Sequence, residues 1–445
     1  MKNLLKKTHK RLAASVLLAV LCAPHAMAQG KPQMEVTLDK AIETALAENP
    51  TMKVAGQEIE LKKVARKEAW QSLLPSLEGQ VALSHSIKVA EIRTSMGTFK
   101  MGMDGTTTIQ GGITATLPIY APAVYQNMKL TKEDILVAQE KARGSKLDLV
   151  NQVKKAYFSA LLAQDSYEVM QKSYKTSVKN YNDITRMFEV GKVSEYDKLS
   201  AEVQMRNMNS AVVSAETGVK LSLLQLKVLM GVTADIDLKI MDSLKAYENN
   251  LELPAELGAE AVDNNSSLRQ LDLNVSLLQR TRKLLRTNFI PTLGAQFSAQ
   301  YQSMSNPNWN VFDYHYSPSL SFAVSLSVPL YKAGNFTKMK SNKIQIDQLL
   351  NTREDTRRKL SVAAASYREN MVSSVAQIES NRKAVVQADK AVSISNKRYE
   401  VGAGTVLELN QSETALTQAE LTYNQSIYDY LSNRADLEYT MGAEK

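Results

Sequence analysis

Leu117-Pro118-Ile119-Tyr120 and Val328-Pro329-Leu330-Tyr331 are two copies of one motif, and each opens a long run of helical composition. Working outward from them, further landmarks recur at an offset of roughly 210 to 216 residues, too long for a solenoid unit and close to half the chain. Pro75 in Leu74-Pro75-Ser76-Leu77 is answered by Pro291 in Ile290-Pro291-Thr292-Leu293. Arg186-Met187-Phe188-Glu189-Val190-Gly191 is answered by Lys397-Arg398-Tyr399-Glu400-Val401-Gly402, and Leu229-Met230-Gly231 by Thr440-Met441-Gly442. Both halves read in the same order: helix, two short strands, a very long helix, a turn at glycine, another helix. The expected division is residues 29–231 and 257–445 as two repeats, with hairpin tips near 191 and 402, joined by a linker or equatorial segment over 232–256.

The first residues carry Lys2, Lys6, Lys7, Lys10 and Arg11, then an apolar run from Leu12 to Ala23, then Ala26-Met27-Ala28. This is the pattern of a secretory signal peptide over 1–28 with an A-x-A cleavage site. The apolar run is too short for a transmembrane anchor, which needs about 20 such residues. Leu21 is too bulky to precede a lipidated cysteine at Cys22. Removing the segment takes away five of the eight net positive charges and the only cysteine. The remainder is mildly basic, which argues against nucleic acid as a partner, and it lacks disulfides, thiolate chemistry and cysteine-ligated zinc. His85 and His315 each stand alone in a region that reads as β or extracellular loop, as loop or interface residues rather than metal ligands, so no cofactor or metal is expected.

No stretch after Ala28 is apolar enough to span a bilayer as a helix, yet four short segments, near 77–89, 107–117, 292–302 and 319–329, alternate with period two. In the first, Leu77, Val81, Leu83, Ile87 and Val89 share one face, with Glu78, Gln80, Ser84, Ser86 and Lys88 on the other. Ile109, Ile113, Ala115 and Leu117 oppose Thr108, Gln110, Thr114 and Thr116 in the second. Leu293, Phe297 and Tyr301 oppose Gln296, Ser298 and Gln300 in the third. In the fourth, Leu320, Phe322, Val324, Leu326 and Val328 oppose Ser319, Ser321, Ser325 and Ser327. Each has about the length of an outer-membrane strand, roughly 9 to 11 residues. The polar faces are Ser, Thr and Gln with almost no charge. Trp309, Phe312, Tyr314 and Tyr316 lie at one end and Tyr120 and Tyr331 at the other, as interfacial aromatic girdles would. A half-buried sheet of a soluble domain alternates similarly but needs neither feature.

From about Pro122 to Val190 the chain has no interior proline, and from about Asn335 to Val401 it has neither glycine nor proline. At about 1.5 Å per residue each is a helix near 100 Å long, which argues for coiled-coil packing. Asn49 with Pro50 marks a helix start, and Asn265-Ser266 takes that place in the second copy. No catalytic constellation is present. Gly402-Ala403-Gly404-Thr405 follows a helix rather than a strand and lacks the lysine of a phosphate loop.

At the hairpin tips, Val190-Gly191-Lys192-Val193-Ser194-Glu195-Tyr196-Asp197 and Tyr399-Glu400-Val401-Gly402-Ala403-Gly404-Thr405-Val406-Leu407-Glu408 resemble the paired tip motifs of the TolC family of outer-membrane efflux proteins. The likeness extends through Ala41-Ile42, Ala45-Leu46 and Asn49-Pro50, the Leu-Pro strand entries and the duplicated helices. The resemblance implies a mainly α chain with a membrane β part: duplicated helical hairpins forming a periplasmic tunnel, and four strands per chain completing a trimeric 12-stranded β-barrel. Four strands alone cannot close, and unpaired edges are not tolerated in lipid. Eight strands would fill their interior with side chains, whereas twelve leave a channel.

The resemblance further implies an outer-membrane exit duct of an efflux or type I secretion system, a homotrimer set in outer-membrane lipid. Its partners would be a periplasmic adaptor and an inner-membrane transporter, and its action would be opening of the tips rather than enzymatic. An adaptor or other periplasmic coiled-coil protein is the alternative, but adaptors carry one hairpin between split β domains and this chain carries two. An exported hydrolase would need a nucleophile and base that the chain lacks. By the same resemblance Val190, Gly191, Val401 and Gly402 form adaptor-docking tips, Asp197 and Tyr399 an interhelix locking pair, and Glu408 an acidic ring at the constriction. Gln411 falls where a second aspartate is often found and Gly404 where a locking arginine can occur. Both departures leave the ring less charged and the lock weaker.

Overall fold

The computed structural model describes residues 33–95, 97–100, 102–253 and 261–443. The expected signal segment with its cleavage site and Cys22 lies outside the described residues, as do residues 254–256 of the expected linker. In chain order, strand β1 (Gln33–Val36) leads into helices α1 (Leu38–Glu48) and α2 (Pro50–Gln71), strand β2 (Ser76–Ser86), a small hairpin of β3 (Glu91–Thr94) and β4 (Gly97–Lys100), and strand β5 (Thr106–Tyr120). Helix α3 (Pro122–Glu189) returns as α4 (Glu195–Met230), and β6 (Asp237–Ile240) follows. The second half supplies α5 (Ser266–Arg286), β7 (Thr292–Asn306), β8 (Ser317–Ser327), α6 (Ala333–Glu400) and α7 (Val406–Met441).

The two halves agree almost residue for residue in helix length. Helices α3 and α6 each have 68 residues, and α4 and α7 each have 36. In each half the short helix before the sheet stacks end to end on the returning helix of the hairpin. Asn49 caps α2 by accepting from Thr51 N at 2.8 Å, while its Nδ2 donates to Leu229 O at the end of α4, also at 2.8 Å. Asn265 repeats both bonds, from Ser267 N at 2.8 Å and to Thr440 O at 2.9 Å. The joint is close because Gly231 and Gly442 end their helices at φ 70°. A Cβ on Gly231 would lie 2.8 Å from the Glu48 carbonyl carbon, and one on Gly442 would collide with Asn264 O. Only glycine fits both the left-handed backbone and this contact.

The main core sits where these joints meet the long helices: Val153, Tyr157 and Leu161 of α3 pack with Leu226, Met230, Ile427 and Tyr430. The segment after α4 is more than a connection. Strand β6 pairs in parallel with β1, Gln33 opposite Asp237 through Val36 opposite Ile240. A 3-10 turn over Leu244–Asn250 then docks on the helices, with Leu244 N donating to Asp165 Oδ2 at 3.0 Å and Tyr157 OH to Asp242 Oδ2 at 2.6 Å. No described helix is long and apolar enough to cross a membrane.

The sheet is antiparallel in the order β2-β5-β7-β8, so β2 and β8 are free edges of the single chain. Its register brings the expected apolar residues into cross-strand rows: Leu77 opposite Ala115, Ala115 opposite Phe297, Phe297 opposite Phe322. The opposite face carries Glu78, Thr114, Ser298 and Ser321 in the same way. Every residue of β8 is exposed, Leu320 and Phe322 at 72% and 70%. The apolar row is open, with Leu77, Phe297 and Phe322 all exposed, whereas the polar row is partly covered, Ser298 being buried between its neighbours; neither side builds a hydrophobic core among the described residues.

Three expectations about the strands are corrected. Ile87 and Val89 lie beyond β2, because the chain turns to bond Val89 N to Asp104 Oδ1 at 2.8 Å. Strand β8 ends at Ser327, before Val328 and Pro329. Pro118, by contrast, stays within β5 opposite Gly294, next to a register shift that accommodates its missing N–H. At the loop end, Tyr314 is buried with its hydroxyl on Asn308 O, so this ring ties the loop together rather than standing in a girdle, while Trp309 stacks on His85 at 4.5 Å and stays exposed, as do Phe312 and Tyr316.

Candidate functional site

The far ends of the two hairpins are built alike. At the first tip Gly191 takes φ 72°, Gly191 N donates to Phe188 O at 2.8 Å, and Lys192 N reaches back to Met187 O at 2.8 Å. At the second, Gly402 takes φ 74°, with Gly402 N on Tyr399 O at 3.0 Å and Ala403 N on Arg398 O at 2.8 Å. Each left-handed glycine lets the chain leave a long helix and satisfy its last carbonyls within one turn. Open space surrounds the Cβ direction of both glycines, and Val190 and Val401 are 68% and 78% exposed. Two apolar residues and two backbone turns are thus displayed at the end of the molecule.

Just behind the tips, Ile184 of α3, Ala201 of α4 and Val406 of α7 form a small buried cluster, with Tyr181, Val193 and Tyr399 against it. This is where the expected gate residues fall. Asp197 and Tyr399 are not joined by a hydrogen bond. The Asp197 carboxylate accepts from Ser194 Oγ at 2.7 Å and Ser194 N at 3.2 Å, while Asp197 N donates to Ser194 Oγ at 3.2 Å, a reciprocal cap for α4. The Tyr399 hydroxyl meets Met187 Sδ at 3.8 Å. Burial raises its pKa, and the nearby charges of Asp197 and Asp183 add to the rise, so it stays a neutral phenol.

Glu408 stands in the first turn of α7, its N–H held by the Thr405 cap, and its carboxylate lies 3.7 Å from Arg398 Nη2. Arg398 also donates to Ala403 O at 3.1 Å and borders Gly404. A cation thus stands beside the glycine that departs from the family pattern, supplied from α6. Gln411 is exposed one turn further along α7.

Behind the gate residues, Glu413 of α7 carries no sequence motif that marks it. It is 7% exposed, and Asn180 Nδ2 of α3 donates to its Oε1 at 2.5 Å while its Oε2 has no hydrogen-bond partner. Thr417 Oγ1 donates to Ser173 Oγ at 3.0 Å along the same seam. Without the helix phase, Glu413 is indistinguishable from a solvated acid. Burial raises its carboxyl pKa, and the Asn180 bond opposes this in part. The folded chain therefore holds the proton more tightly than the unfolded chain. This contribution is most favourable below the unfolded value of about 4.3 and is lost as pH rises through the raised folded value. Glu413→Gln keeps the shape without the charge. Its heat resistance should exceed that of the parent at pH 8, with the gap closing toward pH 4; a gap independent of pH would contradict a buried ionisation.

Comparison with known proteins places this geometry. The family model described as Outer membrane efflux protein matches residues 41–232 and 257–443, the two structural repeats. The outer membrane protein TolC of Vibrio cholerae is 22% identical over 75% of this chain and 76% of its own length. The alkaline protease secretion protein AprF of Pseudomonas aeruginosa is 24% identical over 89% of this chain and 82% of its own. Among solved structures, the open-state MtrE outer membrane channel of Neisseria gonorrhoeae superposes with a TM-score of 0.72 at 18% identity, covering 91% of this chain and 88% of that one.

Proposed function

The chain belongs to the outer membrane efflux protein family, and from that premise we propose that three copies form the exit duct of a tripartite efflux or type I secretion system. The observation that carries this reading is the four-stranded sheet whose apolar face is exposed and whose two edges are unpaired within the chain. Lipid satisfies the apolar face, water in a lumen the polar face, and neighbouring copies the edges. The hairpins continue the wall into the periplasm, where a tunnel needs no chemistry and only a gate. Reconstitution into a planar bilayer tests the reading directly: discrete channel openings from purified trimer are expected, and trimer without conductance at any voltage would contradict it.

The exposed Val190-Gly191 and Val401-Gly402 turns support a role as docking points for the hairpin tips of a periplasmic adaptor. Gating is the passage between a closed arrangement, held by the cluster around Val406 and Tyr399, and one in which the hairpins part. With Asp197 committed to the α4 cap, apolar packing carries most of that closure. Glu408 narrows the passage electrostatically. Symmetry would bring three such carboxylates together, and like charges attract a counter-ion. Arg398 partly offsets each of them. Glu408→Ala should accordingly weaken block by divalent cations added from the tip side, and Arg398→Ala should strengthen it. Single-channel recording checks both, and unchanged block in both variants would move the constriction elsewhere.

A further inference from the structure

We propose that the helices immediately beneath the barrel form a basic collar that binds the phosphate headgroups of anionic phospholipid in the periplasmic leaflet of the outer membrane. Between Asp272 and Asp347 the only acidic residue is Asp313, in the loop beyond the far end of the strands. The same stretch carries Arg280, Arg282, Lys283 and Arg286 on the last turns of α5, then Lys332, Lys338, Lys340 and Lys343 at the start of α6. None lies within β7 or β8. The whole chain carries a net charge of +8, five of it before residue 28, so the eight cations of this one stretch exceed the net charge of everything after the leader. Such segregation is a built feature rather than the average composition of a solvated helix.

The cations are available. Among the described ion pairs only Arg280 has an acidic partner, Glu133 at 3.1 Å. Lys283, Arg286, Lys332, Lys338, Lys340 and Lys343 are all exposed. Their depth fits headgroups. Phe289 and Phe336 meet at 5.1 Å and Tyr331 lies 6.4 Å from Phe336, an aromatic cluster with Tyr331 and Phe336 exposed at the base of the strands. Aromatic rings take that position at a membrane interface. At about 1.5 Å per residue, Arg286 to Arg280 and Lys332 to Lys340 extend roughly 9 to 12 Å below it, with Lys343 about one turn deeper at the lower edge. The interfacial layer is about 5 to 8 Å deep on each side, and lysine and arginine stems reach several ångströms further along apolar surface. The first repeat adds Arg66 and Lys67 near exposed Trp70 in the last turns of α2, there interspersed with the exposed acid Glu68.

Each cation close to an anionic leaflet is worth about 1 kcal/mol, or about fivefold in binding. The inference rests on the reading of the sheet as a membrane barrel. Full-length trimer is reconstituted in bilayers of phosphatidylethanolamine with a minority of phosphatidylglycerol and re-extracted in detergent, and retained lipid is measured by phosphate assay and mass spectrometry. The trimer should retain phosphatidylglycerol well above its bulk proportion, less so in high salt. Combined Lys332→Gln, Lys338→Gln, Lys340→Gln and Lys343→Gln should lower this at least fivefold, with trimer level and insertion unchanged. The pair Lys283→Gln and Arg286→Gln serves where the fourfold variant does not assemble. Retention equal to the bulk proportion by the unmodified trimer would overturn the collar while leaving the barrel intact. Altered ion selectivity of the channel with unchanged lipid retention would also overturn it, by placing the charges on the lumen. Failure of the unmodified trimer to insert at all would remove collar and barrel together.

Discussion

Val324→Arg and Leu326→Arg should each destabilise the assembled protein in its membrane by about 2 to 4 kcal/mol, whereas Ser325→Arg between them should cost little. All three sit in β8, are exposed in the single chain and differ only in the side of the sheet they face. In water the three changes would be nearly equivalent, since an exposed arginine is well solvated on either side. The asymmetry arises only if the Val324 and Leu326 side is hydrocarbon, where a guanidinium must leave water or drag water with it. The depth dependence of that penalty makes the pair informative: Val324 faces Ala295 and Leu326 faces Leu293, nearer the end of β7, so Leu326→Arg should be the milder of the two. Trimer yield in the outer-membrane fraction and the temperature at which it dissociates give both comparisons. Equal tolerance of all three substitutions would end the assignment of the apolar face to lipid.

Gly402→Trp should abolish transport while trimer level and membrane insertion stay near normal, and Gly191→Trp should do the same. Both glycines hold φ above 70° and face open space, so an added Cβ meets no other atom within 4 Å. The intrinsic cost is therefore that of a left-handed non-glycine residue, about 1 to 2 kcal/mol. Against two helical hairpins anchored along 36 residues each, that cost lowers local stability without unfolding the chain. An indole at the apex would instead hold an adaptor's backbone away from the turn. Gly402→Ala separates the two effects, since it carries the same backbone strain with almost no bulk. Full transport by an assembled Gly402→Trp trimer would refute docking at the tip, and equal losses in the alanine and tryptophan variants would assign the defect to strain.

The fold class was legible because two independent signals agreed: a half-chain duplication and a period-two alternation with uncharged polar faces. Asn49 and Asn265 were readable as helix starts from type and position alone. Their second bond, across to Leu229 and Thr440, was not, because nothing local announces a contact some 180 residues away. The gate was less legible for a physical reason. Asp197 suits a lock and a cap equally well, and Ser194 three residues earlier was the sign that the cap would compete for it. Arg398, adjacent to Tyr399 in sequence, could be found only by knowing that the turn at Gly402 folds it back toward Glu408. Residues 237–240 escaped notice as a strand because four residues carry too little alternation to rise above an Asp- and Asn-rich connection.

The central claim, that three chains close one barrel by pairing β8 of each with β2 of the next, is tested most directly by disulfide trapping across that edge. Cys22, within the expected signal segment, is the only cysteine in the sequence, so with Cys22 replaced by serine the introduced pairs report alone. Within one chain β2 and β8 are separated by β5 and β7, about 14 Å at the usual strand spacing, too far for a disulfide, which needs Cα atoms within about 7 Å. Double variants combining Gly79→Cys or Val81→Cys with a cysteine scanned along Phe322, Ala323 and Val324 are oxidised in isolated outer membranes and sized under denaturing, non-reducing conditions. At the matching register the expected product is a covalent ring of three chains with no larger species. Monomers at every register, or a ring of any other number, would contradict the account.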